Sequence, residues 1–169
     1  MHRRHVFGLA VMAALGVALL PGSAMSQTLK QQLVGTWMLA AWEQDVPNGP
    51  KFQRFGANPK GYHIFEANGR FYTMFARPDL PKIASNNPSN PTPDEAKSIV
   101  SGAIAYYGTY TIDEASKVVT LNIESSSFPN QVGAVQKRTI TSISATELKM
   151  QNTTALTGGQ IYYTLKKAN

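Results

Sequence analysis

Tyr106 and Tyr110 flank Gly108 in the stretch AYYGTYTI (105–112), a spacing that sets both phenols and Ile112 on one face of a strand. Phenol hydroxyls on an apolar wall orient a small molecule by hydrogen bonding. A guanidinium aimed into the mouth orients a carboxylate, a role open to Arg77 in ARPD; Arg138, between Val135 and Ile140, is the second arginine among the candidates and either partners an aromatic of the barrel or faces solvent. Tyr62 and Phe71 sit in neighbouring apolar runs and extend the aromatic wall. Phe128 and Asn130, in the polar loop SSSFPNQVG (125–133), bring an aromatic ring and an amide to its edge, with Gln136 a further orienting group. Tyr62, Phe71, Arg77, Tyr106, Tyr110, Phe128, Asn130 and Arg138 are therefore the candidate ligand contacts. Each has a plainer structural alternative. The two tyrosines can simply fill a core, Gly108 can mark a corner or bulge, Arg77 can pair with Asp79, and the loop serines are ordinary turn chemistry.

Catalytic chemistry finds less support in the sequence. There is no cysteine, so disulfides, thiolate metal sites and thiol nucleophiles are excluded. Past residue 26 the one histidine is His63, which alternation assigns to the face opposite Tyr62 and Ile64. No serine lies in a nucleophile elbow, one histidine with scattered acids has no metal-ligand spacing, and no cofactor motif is present. No catalytic residue is assigned, and binding is preferred to catalysis. The alternatives are an isomerase or cyclase using tyrosine hydroxyls, Asn130 or Arg138 to stabilise developing negative charge, or a filled barrel serving as an interaction module.

These side chains must be positioned by short strand-like runs separated by turn signals, an all-β pattern. Eight are legible: 33–44, 61–66, 70–76, 105–112, 118–124, 132–143, 146–152 and 160–166. Asn68-Gly69 predicts a tight two-residue hairpin turn between the second and third. The one long interruption, between the third and fourth, carries five of the ten prolines, four of them ahead of Thr92. Its second half predicts a helix: Thr92 as N-cap, Pro93 in the first turn, Glu95 completing a capping box, and Ala96, Ile99, Val100 and Ala103 forming an apolar face. Eight antiparallel strands leave exposed edges unless the sheet closes. The predicted fold is an eight-stranded antiparallel up-and-down barrel with one short helix between strands three and four, covering an open end or lying outside. An interior of that size holds packed side chains or one small ligand.

Residues 1–26 carry Arg3 and Arg4, an apolar run from Val6 to Leu20 and a Pro21-Gly22 break. They read as a signal peptide cleaved after Ser26, or else after Ala24, which predicts a periplasmic or secreted protein. The context of Arg3-Arg4 gives a twin-arginine signal only weak support. The run is too short to span a membrane and no later segment approaches that length. Residues 27–169 then form one domain, and loss of the two arginines lowers the formal charge from +6 to +4. The basic residues are scattered singly or in short pairs, not the stripe a nucleic-acid binder needs.

Taken in order, LVGTWMLAAWE, NPKGYHIFEANGR, ARPD, TPDEA, AYYGTYTIDE and FPNQVG resemble the bacterial and fungal lipocalin-like domain family from Leu33 to about Leu165. The resemblance implies a lipocalin-like barrel with a capacity for small hydrophobic ligands, and a fold does not dictate the ligand. It also implies that Trp37, in Gly35-Thr36-Trp37, plugs the barrel base beneath a basic residue, for which Arg138 is a candidate. Many relatives carry paired histidines ahead of the PN-VG loop, where this chain has Leu121 and Asn122. Neither oligomeric state nor a particular ligand follows from the sequence.

Overall fold

The structure, a computed structural model, describes residues 27–152 and 159–168; the leader assigned to 1–26 lies outside them. A short helix α1 (Leu29–Leu33) leads into β1 (Gly35–Gln44), β2 (Lys60–Phe65), β3 (Arg70–Ala76), helix α2 (Pro93–Gly102), β4 (Ala103–Asp113) and β5 (Val118–Ser126). A single 3₁₀ turn (Pro129–Gln131) then precedes β6 (Val135–Ile143), β7 (Glu147–Asn152) and β8 (Ile161–Lys167). Each strand pairs antiparallel with the next and β8 returns to β1, so the barrel closes. Closure removes both sheet edges, which is what eight amphipathic strands without a covering layer require.

Because the strands run up and down, the connections divide between two ends. The β2–β3, β4–β5 and β6–β7 turns share one end with α1, and the longer β1–β2, β3–β4 and β5–β6 connections share the other. The base is sealed by α1, whose first two amides, of Leu29 and Lys30, donate to the Glu114 carboxylate at 2.8 and 3.0 Å. Thr28 and Gln31 close a capping box on the same helix. Above it Trp37 is fully buried and donates its indole N–H to the Leu33 carbonyl at 2.8 Å. The basic residue over Trp37 is Lys167, its Nζ 4.2 Å from the ring centroid, and not Arg138. Lys167 is the last residue of β8 and donates to the Val34 carbonyl, whereas Arg138 starts from β6 and spans the interior higher up.

Two local expectations change. The β2–β3 hairpin forms, but Asn68 keeps negative φ and only Gly69 is left-handed, at φ 87°. Glu66 and Arg70 close a three-residue loop, with the Asn68 side chain accepting from the Arg70 amide at 2.9 Å. Helix α2 begins at the Thr92 capping box as predicted, yet its apolar face is not buried as a unit, since Val100 is 67% exposed. The helix is held instead by polar contacts and its last turn. Arg77 Nη2 donates to Ser98 Oγ at 2.9 Å, and the Ala84 amide donates to the Glu95 carboxylate. Gly102 lies under Leu80 and Arg77, where a Cβ would come within 2.8 Å of both. No helix among the described residues is long and apolar enough to cross a membrane.

Candidate functional site

The barrel is filled at its base and hollow towards the end with the long connections. Phe65, Phe71, Leu121, Ile140, Leu148 and Leu165 pack the lower interior above Trp37. Over them opens a cavity of about 460 Å³, inside the range of about 300–1,000 Å³ usual for small-molecule sites. Its wall is aromatic: Trp42 from β1, Phe75 from β3, Tyr106 from β4 and Tyr163 from β8, with Ile104 and Ile161 between them. Its roof comes from the β1–β2 connection. A single bridge between Gln44 and Phe52 folds that segment back over the mouth, bringing Phe52, Arg54 and Phe55 to the opening. Phe55 is buried there edge-on to Trp42 and Phe75, with centroids 5.7 and 5.8 Å away. Of α2, only Ser101 reaches the cavity, its carbonyl accepting from Arg54 Nε at 3.1 Å. The helix stands at the rim, and the β1–β2 segment is the cover.

The floor is polar. Fully buried Arg138 donates through Nη2 to the Tyr106 hydroxyl at 2.6 Å and to Gln136 Oε1 at 3.1 Å. Its guanidinium lies 4.3 Å from the Tyr163 ring centroid, a cation–π contact. The Tyr163 phenol meets the side chains of Trp42 and Asn152, and burial pushes its pKa up, so it is neutral. Below, fully buried His63 holds its Nδ1 2.7 Å from Thr73 Oγ1 and packs face to face with Phe71. Its Nε2, Arg138 Nε and Nη1, and Asn152 Oδ1 are buried without a hydrogen-bond partner.

His63 and Tyr62 exchange the faces assigned to them from the sequence: His63 is wholly buried and Tyr62 is 48% exposed on the outside of the barrel. The phase of β2 is set by its partners. Phe65 opposes Phe71 and His63 opposes Thr73, and the inward row Phe71, Thr73, Phe75 draws the histidine in. Burial and then the charge of Arg138 hold the imidazole pKa well below its ordinary 6.5. Below about pH 6.5 the unfolded chain takes up a proton that folded His63 refuses. Stability should therefore fall with decreasing pH by up to about 1.4 kcal/mol per unit. Denaturant unfolding between pH 6.5 and 5.5 should show this slope, and His63→Gln should flatten it; equal slopes in both proteins would show that His63 protonates freely in the fold.

The other predicted contacts separate by height. Tyr106 borders the cavity, and Arg138 lies directly beneath it. Phe71 is buried lower, edge-on to Tyr106. Tyr110 is lower still, donating to the Glu66 carbonyl at 2.8 Å and resting against Phe65, so it belongs to the packed base. Phe128 and Asn130 are exposed on the β5–β6 loop, and their neighbour Gln131 is the residue that reaches the cavity. Arg77 lies outside, its Nε 3.4 Å from Asp79 Oδ1 and its Nη2 on α2. Leu121 points into the packed core, and no group of three potential metal ligands occurs among the described residues.

A closed up-and-down barrel, packed at one end and hollow at the other beneath an aromatic cover, is a small β-barrel with an internal cavity. The lipocalin-like domain model matches residues 34–165, and the chain belongs to that family. Among solved structures it is similar to a lipocalin-like protein from Bacteroides uniformis, at 11% identity and TM-score 0.45 over 81% of this chain and 99% of that one. It is also similar to a redesigned β-barrel, at 15% identity and TM-score 0.43 over 83% and 95%. No curated protein matches.

Proposed function

We propose that this protein binds a small, largely apolar molecule in the upper half of its barrel and is an exported protein. The observation that carries the binding reading is the cavity of about 460 Å³ walled by Trp42, Phe55, Phe75, Tyr106 and Tyr163, above a lower interior filled by Phe65, Phe71 and Leu121. Buried aromatic surface supplies affinity in proportion to the area removed from water, and the few polar groups at the floor supply orientation. Export is supported by the basic, apolar and small-residue sequence of residues 1–26; N-terminal sequencing of the protein recovered from its host should begin at Gln27 or Met25.

Binding is tested by titrating the neutral probe N-phenyl-1-naphthylamine against the purified protein, following the emission of the probe itself. We expect one saturable site. Ile104→Trp, which places a large side chain in the cavity wall, should lower affinity at least tenfold with the circular dichroism spectrum unchanged. A wild-type protein that binds no apolar probe, or an Ile104→Trp variant that binds as well as wild type, would refute the chamber reading.

A further inference from the structure

Arg138 is the most deeply buried charge in the barrel and has no counter-ion. Among the described residues no carboxylate reaches it and none lines the cavity; the ion pairs all involve other residues. A guanidinium stays protonated in any protein environment, and an unpaired buried charge carries a large desolvation cost. Its two acceptors, the Tyr106 hydroxyl and the Gln136 amide oxygen Oε1, are not carboxylates and both take Nη2. The Nε and Nη1 hydrogens remain unmet. All three side chains that hold the guanidinium, Tyr106, Gln136 and Tyr163, themselves line the cavity. The second arginine of the chamber, Arg54 at the mouth, likewise lacks an acidic partner; its Nε is taken by the Ser101 carbonyl and its guanidinium lies 5.3 Å from the Phe55 ring centroid.

We infer that the ligand is an amphipathic monoanion whose carboxylate-class head is read by Arg138, just behind the Tyr106 and Gln136 side chains of the cavity floor, while its apolar, ring-bearing body lies against Trp42, Phe55 and Phe75. This rests on the chamber reading above and names the class of molecule the chamber takes. A single positive charge under a cavity with no acid in its lining matches one negative charge. A carboxylate supplies acceptor lone pairs for the unmet donors, and such charge-assisted bonds are about twice as strong as neutral ones. The geometry also explains why a cavity so aromatic has a guanidinium directly behind its floor: the charge orients an otherwise featureless body head-down. A dianionic head such as phosphate would leave one charge uncompensated at this depth, because Arg138 is the only cation among the fully buried side chains described.

The experiment is isothermal titration calorimetry with two probes of the same shape, 2-naphthoate and 2-naphthamide, on the purified protein at pH 7.5. Wild type should bind the acid about 10- to 100-fold more tightly than the amide, the range a buried charged hydrogen bond spans. Arg138→Met should erase that preference while leaving amide binding within about threefold, and Arg54→Gln should keep most of it. The wild-type comparison stands by itself should Arg138→Met fail to fold, and Arg138→Lys then keeps the charge with fewer donors and should retain part of the preference. Equal binding of both probes by wild type, or loss of the preference in Arg54→Gln and not in Arg138→Met, would overturn the assignment while the apolar chamber stands. If neither probe binds and N-phenyl-1-naphthylamine also fails, the chamber reading falls and this inference with it.

Discussion

Gly108→Ala should destabilise the barrel severely without acting on the ligand directly. A Cβ at position 108 would lie 1.9 Å from the Asn122 carbonyl oxygen and about 3 Å from the adjacent carbonyl carbon and the Glu124 amide nitrogen. All three are backbone atoms of the neighbouring strand, so no rotamer change relieves the overlap. The contact arises at a bulge: as β4 steps from Tyr107 to Gly108, β5 steps from Ser125 to Ile123, and the extra residue Glu124 bends the two strands together. Opening that bulge would also move Tyr106, two residues before Gly108, away from Arg138. Overpacking costs typically about 1–3 kcal/mol, and an overlap with fixed backbone belongs at or beyond the top of that range. For a domain of this size that is a fall of roughly 10 °C or more in Tm, read by thermal unfolding. A Gly108 that merely made room for a ligand would give the opposite pattern, with Tm unchanged and probe affinity lost.

What the sequence reveals of this architecture follows from which interactions are periodic. The eight strands are legible because alternation and Asn, Gly and Pro punctuation are local signals, and closure follows from the need to leave no edge. Three starts shift, since Leu33 ends α1 and does not open β1, Ala103 opens β4 and does not belong to the helix, and β6 begins at Val135 and not at 132. Helix α2 is legible from Thr92, Pro93 and Glu95 for the same reason. The phase of β2 is not, because both of its faces carry an aromatic, Tyr62 on one and Phe65 on the other, and the choice is made by cross-strand contact with Phe71 and Phe75. The chamber's cover is likewise hidden: residues 45–59 read as a loop rich in proline and glycine, and Phe52, Arg54 and Phe55 reach the mouth through one bridge from Gln44 to Phe52 that has no period to betray it. Helix α1 left a usable sign, the Thr28-x-x-Gln31 capping box, in a segment of only five helical residues. Arg138 was identifiable as a candidate, but its height in the barrel was not. Its reach to Tyr106 depends on strand tilt and on the bulge at Gly108, neither of which a linear spacing encodes.

Trp37→Ala should unfold the base while teaching whether base and chamber are separable. The indole is fully buried, bonded to the Leu33 carbonyl at 2.8 Å and covered by Lys167 Nζ at 4.2 Å. Truncation removes a large apolar contact, strands a buried carbonyl and leaves a void between α1 and the phenylalanine layer; Trp→Ala in such settings costs about 3–5 kcal/mol. Trp37→Phe keeps most of the volume and forfeits the hydrogen bond, so about 1–2 kcal/mol is expected, and Lys167→Met should cost less still, since this amine is only partly buried and burial already lowers its pKa. Denaturant titrations of the three variants should fall in that order. Because Phe65, Phe71 and Leu121 intervene between Trp37 and the cavity, Trp37→Phe should bind N-phenyl-1-naphthylamine within about twofold of wild type. A Trp37→Phe protein that folds but loses the probe would mean that the lower barrel is not the rigid floor on which Arg138 and the chamber are set.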